Sequence, residues 1–486
     1  MKNEQIKNLD FALDAATAKK RANSYDVAVG FFEAEADELR EKILNTPNTE
    51  ELYDIKGVKY YVSANGDDNN DGLYPETPIK SLERINAIEL DEGDAILFKR
   101  GDTFRFANPL MLKNGVTYGS YGEGAKPKIY GSPENYAEND TWQEVAPNIW
   151  KIDFNYPRAC GLVLDHSRIV GVLKLETIDN LRENGDYWHD TDNNVFYLYL
   201  DEGKPNEVLT DIEIMPTLTL LKSEHGKDLV VDNLCLKYTA GFGFGAVIFK
   251  NNLKLTNCEF GFLGGLWVFG KTDKNYLNDY RFGNALEFWL GAQDVLIDNN
   301  WFYQTYDSAL TWQGNQTNNV YKNIHYTNNL FEYNNCDIEF FSPSNPDAPL
   351  ENYVMANNIM RFTSMGWGSR TFDGAYRGIE GCIRASTDDK KTPWTIKETY
   401  FTNNIIDCPA RQTINWNILP EQREGIHASG TKLYIKGKYR TLIPCLQGLQ
   451  TDIAKQPHDY RFACNYEELV KMFPLFEEGA DIYWED

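Results

Sequence analysis

From Leu229 onward the chain alternates apolar and polar residues in short runs that keep ending on asparagine, as in Val295-Leu296-Ile297-Asp298-Asn299 and Ile324-His325-Tyr326-Thr327-Asn328. Period-two alternation reads as strand. The asparagine falls at 233, 257, 299, 328, 357 and 403, at intervals of 24, 42, 29, 29 and 46 residues. Recurrence in the twenties means one solenoid coil per interval, and insertions at 270–282 and 364–379 lengthen two of them. Asparagine suits a sharp corner between strands because it tolerates the left-handed conformation and its amide can bond to the asparagine stacked above. These positions are read as structural, not catalytic.

A second set of runs lies between Gly283 and Arg384: Leu286-Glu287-Phe288-Trp289, Leu310-Thr311-Trp312-Gln313, Ile338-Glu339-Phe340-Phe341 and Ile383-Arg384-Ala385-Ser386. Aligned as parallel strands, Leu286, Leu310, Ile338, Ile383 and Ile414 face the core, and Glu287, Thr311, Glu339, Arg384 and Asn415 form one outward column. Trp289, Gln313, Phe341, Ser386 and Asn417 stand beside it, two residues further on. Trp312 and Trp416 have inward parity and belong to the core.

The rest of the chain supports this solenoid. Residues 1–52 carry apolar positions at helical spacing and predict a helical segment packed on the body. The solenoid proper spans 53–430. Residues 130–215 break its rhythm with Trp142, Trp150, Trp188 and the alternating run Val195-Phe196-Tyr197-Leu198-Tyr199-Leu200, which predicts a small antiparallel insert whose aromatics make its own core. Beyond Thr431 the repeat fades, so 431–486 is expected to cap the open end.

The opening phrase from Tyr60 to Leu82, with Asn65-Gly66-Asp67-Asp68-Asn69-Asn70-Asp71-Gly72 at its centre, resembles the first coil of right-handed parallel β-helix proteins of the pectin-lyase-like group. The resemblance continues more weakly through the coils to about Asn417. It implies an all-β, right-handed parallel β-helix; it does not select an activity, since lyases, hydrolases, epimerases and phage tail spikes share the group. The acidic run could hold a structural or substrate-bridging calcium, but it lacks EF-hand positions, and turn chemistry is its ordinary explanation.

A net charge of -24 argues against nucleic acid or an anionic membrane as the main partner. No apolar run reaches membrane-span length. The start, Met1 to Asn8, shows no export signal, and the eight cysteines form no CxxC pair and sit mostly in apolar strands. Both features lead to the expectation of a cytoplasmic protein with free core thiols. The six histidines do not pair at ligand spacing, so no metal site and no cofactor are expected. Oligomeric state stays open, a homo-oligomer included.

Chemistry is expected at the column. Asp307 stands four residues before Thr311, at the turn entering its strand, and shares the column's parity. Glycosidic bond cleavage needs one protonated carboxyl and one carboxylate, and three acids around one groove can supply both forms because repulsion and Arg384 push their pKa values apart. Trp289, Phe341, Tyr306 and Trp367 offer a platform for stacking sugar rings.

The runs around Glu287, Asp307 and Glu339 also resemble those of bacterial β-helix glycosidases related to the β-xylosidases of glycoside hydrolase family 120 and the lacto-N-biosidases of family 136. That resemblance implies a retaining glycoside hydrolase with a carboxylate pair, and the expected cytoplasmic address favours exo action on oligosaccharides. Register assigns Asp307 as nucleophile and Glu339 as general acid/base, with Glu287 as third carboxylate; the alternative pair is Glu287 with Glu339, at a spacing suited to inversion. Arg384, Trp289, Gln313, Thr311, Phe341, Tyr306, Trp367 and Asn415 are the expected substrate contacts. Two rivals stand beside this reading. A polysaccharide lyase or uronate epimerase would use Arg384 with Glu339, Asp337 and Glu287, and a non-catalytic solenoid would only bind carbohydrate.

Overall fold

The computed structural model describes residues 30–485 apart from 176, 224–225, 247–248, 269–279, 314–319, 342–349, 370–371, 373–380, 387–396, 410–411, 417–424 and 437–479. Its body is an all-β parallel β-helix, the architecture that the repeat predicts. Each coil contributes one strand to each of three sheets. The first sheet has ten strands, from Lys59–Val62 to Ile426–Ser429, and the second has ten, ending with Asp481–Glu485. The third has eight and ends with β1 (Leu286–Trp289), β2 (Ser308–Gln313), β3 (Cys336–Phe341), β4 (Gly381–Ser386) and β5 (Gln412–Trp416). Between the sheets runs one continuous core that includes Leu255, Ile297, Phe302, Leu310, Trp312, Tyr326, Phe331, Ile338 and Tyr353, all fully buried.

Two asparagines, not one, make the repeated corner. The residues at 233, 257, 299, 328, 357 and 403 adopt positive φ, between 52° and 64°, which asparagine tolerates at small cost. The rung-to-rung amide ladder falls mainly to the next residue. Asn300 Nδ2 donates to Asn329 Oδ1, Asn329 Nδ2 to Asn358 Oδ1 and Asn358 Nδ2 to Asn404 Oδ1, each at 3.0 Å, and all four side chains are fully buried. Each of these Oδ1 atoms also accepts the backbone N–H of the preceding rung's asparagine. The left-handed turn and the amide stack, expected from a single position, are thus divided between neighbours. The outer residue turns the chain into the corner, while the inner one points into the coil.

The N-terminal segment straps this solenoid. Helix α1 (Glu33–Leu44) lies across the second sheet, with Arg40 bound to Glu332 at 2.7 Å and Arg361 paired with Glu33. The Phe31 and Phe32 N–H groups donate to Asp407 at 3.0 and 3.1 Å. Helix α2 (Thr49–Leu52) reaches the first sheet, where Thr49 Oγ1 donates to Asp232 at 2.7 Å. Residues 1–29, read as helix in the sequence, lie outside the described residues. Among the described residues no helix is long and apolar enough to cross a membrane.

At the other end the repeat outlasts its expected limit at 430. Lys432–Lys436 pairs in parallel with Ile405–Asp407, and Asp481–Glu485 adds one more parallel strand. Leu433 joins the solenoid core and Tyr434 packs on the opposite face against Phe31, so strand pairing persists where the asparagine signal has gone. The insert is antiparallel as predicted, with Ile149–Asp153, Val195–Tyr199 and Asp186–Asp190 side by side. Tyr136, Trp142, Phe154, Tyr187 and Phe196 fill its own core. In the acidic run, Asp67, Asp68 and Asp71 accept backbone N–H groups of Asn69, of Lys80 and Ser81, and of Leu73, which is turn chemistry. The six described cysteines are buried and form no disulfide with one another.

Removing an amide from the middle of the ladder orphans groups on both neighbouring rungs. Asn329→Ala is expected to lower unfolding free energy by about 3 kcal/mol, because buried donors lose their partners. Urea unfolding monitored by tryptophan fluorescence checks this.

Candidate active site

The column expected from alternation is present in the backbone register of the third sheet. Leu286 pairs with Leu310, Leu310 with Ile338, Ile338 with Ile383 and Ile383 with Ile414. One residue further along, Glu287, Thr311, Glu339, Arg384 and Asn415 align across five successive strands. Strand neighbours are roughly 4.8 Å apart, so the column of five runs about 19 Å.

Polar side chains at the corners entering β1, β2 and β3 hold the acids. Asn284 accepts the Ser308 N–H through Oδ1 and donates through Nδ2 to Glu287 Oε2, both at 3.0 Å. Ser308 Oγ and Thr311 Oγ1 donate to Glu339 Oε2 at 3.1 and 3.0 Å, while Arg384 Nη1 lies 3.2 Å from Glu339 Oε1. Glu339 is thereby surrounded by two hydroxyl donors and a guanidinium, partners that suit a carboxylate. Its side chain is buried, and so is that of Thr311, which faces away from the core yet is covered.

Glu287 has the opposite environment. Burial pushes its carboxyl up to about 7; the Asn284 amide offsets part of this, and the charges of Glu339 and Asp307 add to the rise. Register sets Glu287 and Glu339 two rungs apart on one column, and the charges of Glu339 and Asp307 both reach Glu287, although 52 residues separate the first of these acids from the last. A fourth acid, Asp337, is fully buried two residues before Glu339. Burial raises it to about 7, against hydrogen bonds from Thr363 (2.5 Å) and Asn334 (3.0 Å) and contact with the Cys382 thiol. Among the described residues no three His, Cys, Asp or Glu side chains are placed to hold a metal ion.

The expected aromatic platform needs correction. Tyr306 is fully buried and packs edge-on against Trp367, ring centroids 4.9 Å apart. Trp367 is itself buried: its backbone N–H donates to Gln304 Oε1 at 3.0 Å, and its indole Nε1 donates to Gln304 O at 2.5 Å. Arg281 lies over the Tyr306 ring at 4.4 Å. These side chains pack on one another in the interior and offer no open face for a sugar. The cause is a 3-10 turn at Trp367–Ser369, which folds the start of the glycine-rich insert inward. Trp289 and Gln313, paired in register, remain half-exposed beside the column. Phe341 and Asn415 keep their places in β3 and β5, but their side chains lie outside the described residues, as do Arg370, Asp373 and Arg377.

Alternation alone did not find Asn284, Ser308, Asn334 or Thr363. Part of their signal is legible: Asn284 precedes Glu287 by three residues, and Asn334 precedes Asp337 by three. Each amide turns back onto its acid across that spacing.

A scan against protein-family models matches none, and a search of curated proteins finds no match. Solved structures with a similar chain path include a glycoside hydrolase (TM-score 0.43, 11% identity, covering 88% of this chain and 96% of that one). Others are the pectate lyase Pel9A (0.40, 12%, 78% and 70%) and the GH136 lacto-N-biosidase from Eubacterium ramulus (0.30, 13%, 78% and 68%).

Proposed function

We propose that this protein is a glycoside hydrolase acting on oligosaccharides at the column of the third sheet. The observation that carries the reading is the contrast between two carboxyls on one column. Glu287 is pushed up to about 7, while Glu339 is held by Arg384, Ser308 and Thr311. Hydrolysis of a glycosidic bond requires a proton donor for the leaving oxygen and a charged carboxylate to attack the anomeric carbon or to activate water. In this assignment Glu287 is the general acid and Glu339 the carboxylate. Asp307 contributes the negative charge that helps keep Glu287 protonated. These roles differ from those that register alone assigns. Two rungs separate Glu287 from Glu339, a spacing that suits inversion rather than retention.

The contacts speak less for a lyase. That chemistry needs a cation for the substrate carboxylate, and Arg384 already faces Glu339. Simple carbohydrate binding is also less favoured, because Tyr306 and Trp367 are withdrawn from any binding face.

Glu287→Gln and Glu339→Gln are each expected to lower turnover by about a thousandfold, the scale of a lost general acid or base. A screen of nitrophenyl xyloside, galactoside, glucoside and lacto-N-bioside supplies the measurement. Unsaturated uronate released from pectic or alginate polymers, seen as new ultraviolet absorbance, would overturn the hydrolase reading.

The raised Glu287 also predicts a pH dependence with a definite sign. Its folded-state value of about 7 lies above the ordinary 4.5, so between those values the native state holds a proton that the unfolded chain has lost. Stability therefore falls as pH rises through this window. Thermal unfolding of Glu287→Gln should match the parent below pH 4.5 and exceed it above pH 7. Hydrolysis should decline as pH rises past about 7, where the acid loses its proton.

A further inference from the structure

Asn284 stands two residues before β1, at the corner that leads to Glu287, and is fully buried. Its orientation is fixed by a partner that cannot be turned round. The Ser308 N–H on the next rung is a donor only, so the atom it meets at 3.0 Å is the amide oxygen. Nδ2 then has to face the other way, where it donates to Glu287 Oε2 at 3.0 Å. Glu287 Oε1 receives no hydrogen bond from any described residue. Glu287 also stays partly uncovered, whereas Asp307, Asp337 and Glu339 are buried.

A protonated carboxyl has two unlike oxygens: the hydroxyl donates, and the carbonyl oxygen is the better acceptor. A donor locked onto Oε2 therefore makes Oε2 the carbonyl oxygen and leaves the proton to Oε1. Asp337 shows the same device put to a different end. Asn334 Oδ1 accepts the Thr305 N–H and Nδ2 donates to Asp337 Oδ1, each at 3.0 Å. There Thr363 Oγ1 occupies the second oxygen at 2.5 Å and the residue is wholly enclosed, so its proton has no route to a substrate.

We propose that Asn284 is a positioning residue that selects the oxygen of Glu287 from which the proton leaves, holding it on Oε1, where a glycosidic oxygen can receive it. The inference rests on the hydrolase reading and adds to it how the acid is aimed. As the bond between the anomeric carbon and the leaving oxygen breaks, its electron pair stays on that oxygen and the Oε1 proton joins it. Water that gives a proton to Glu339 forms the new bond at the anomeric carbon, and Glu287 is left as a carboxylate still held by the amide.

Infrared difference spectra of the full chain, each protein against its own Glu287→Gln counterpart, isolate the Glu287 carboxyl without substrate. Between pH 4.5 and 7 the parent should show one protonated carbonyl band. Asn284→Leu should move that band to higher wavenumber, because the carbonyl oxygen loses its donor. Asn284→Asp keeps an acceptor for the Ser308 N–H, and so keeps the corner, but sets a carboxylate against Oε2 and draws the proton there; it too should displace the band. With the sugar found in the nitrophenyl screen, Asn284→Asp should lower turnover of the methyl glycoside by about a hundredfold, the scale of lost acid assistance. The dinitrophenyl glycoside, whose leaving group needs no proton, should keep the parent rate. A residue that only supported the corner would slow both alike. Absence of a Glu287-dependent band, a band unmoved by either variant, or equal loss on the two glycosides overturns the proposal. Failure here is separable from failure of the hydrolase reading. An unmoved band beside a dead Glu287→Gln enzyme removes only this inference; a band that shifts in a protein that cleaves none of the glycosides removes the reading below it and keeps the proton on Oε1.

Discussion

The buried amide ladder through Asn300, Asn329, Asn358 and Asn404 is the constraint on which the rest of the structure depends. Each amide spends its hydrogen bonds on the next rung, so a coil can sit on its neighbour in only one alignment. A slip of a single residue in one direction would bring the ladder amides against Trp301, Leu330, Ile359 and Ile405 and leave their donors unmet; in the other it would set them against the outer asparagines, whose backbone turns away at positive φ. The same alignment brings Glu287, Thr311, Glu339 and Arg384 onto one line. Amides in the corner between the first and second sheets thus fix the geometry of acids on the third.

Placing the acids on strands has an electrostatic consequence. Carboxyls on mobile loops would move apart to relieve repulsion, and each would drift toward its solution behaviour. Strand backbones forbid that retreat. Burial raises the carboxyls of Glu287 and Asp337 to about 7, with like charge adding to the rise only at Glu287, while Glu339 has Arg384 and two hydroxyls. Unequal burial on a fixed backbone therefore gives neighbouring acids unlike environments.

Much of this was legible in the residues. Strand alternation placed Leu310 and Ile338 inside and aligned Glu287, Thr311, Glu339 and Arg384, because a period of two is unambiguous within a strand. Corners obey no such rule. Tyr306 and Trp367 lie at or beyond strand ends, where parity does not specify direction, and both turned inward against expectation. The amide stack was assigned to Asn328 and its equivalents, one residue off, since two consecutive asparagines look alike in sequence and only the backbone decides which points inward. The N-terminal strap was beyond reach for another reason: nothing local to Phe31 names Asp407 as its partner, 376 positions away.

That distance bears on how the molecule is made. During synthesis the strap emerges first, yet its berth on the second sheet needs Glu332, Arg361 and Asp407, which the ribosome delivers only after several hundred further residues. The coils in between can stack as they appear, each on its predecessor. The leading segment must wait in solution with Phe31 and Phe32 uncovered. Its docking thus requires the chain to have been made at least as far as Asp407.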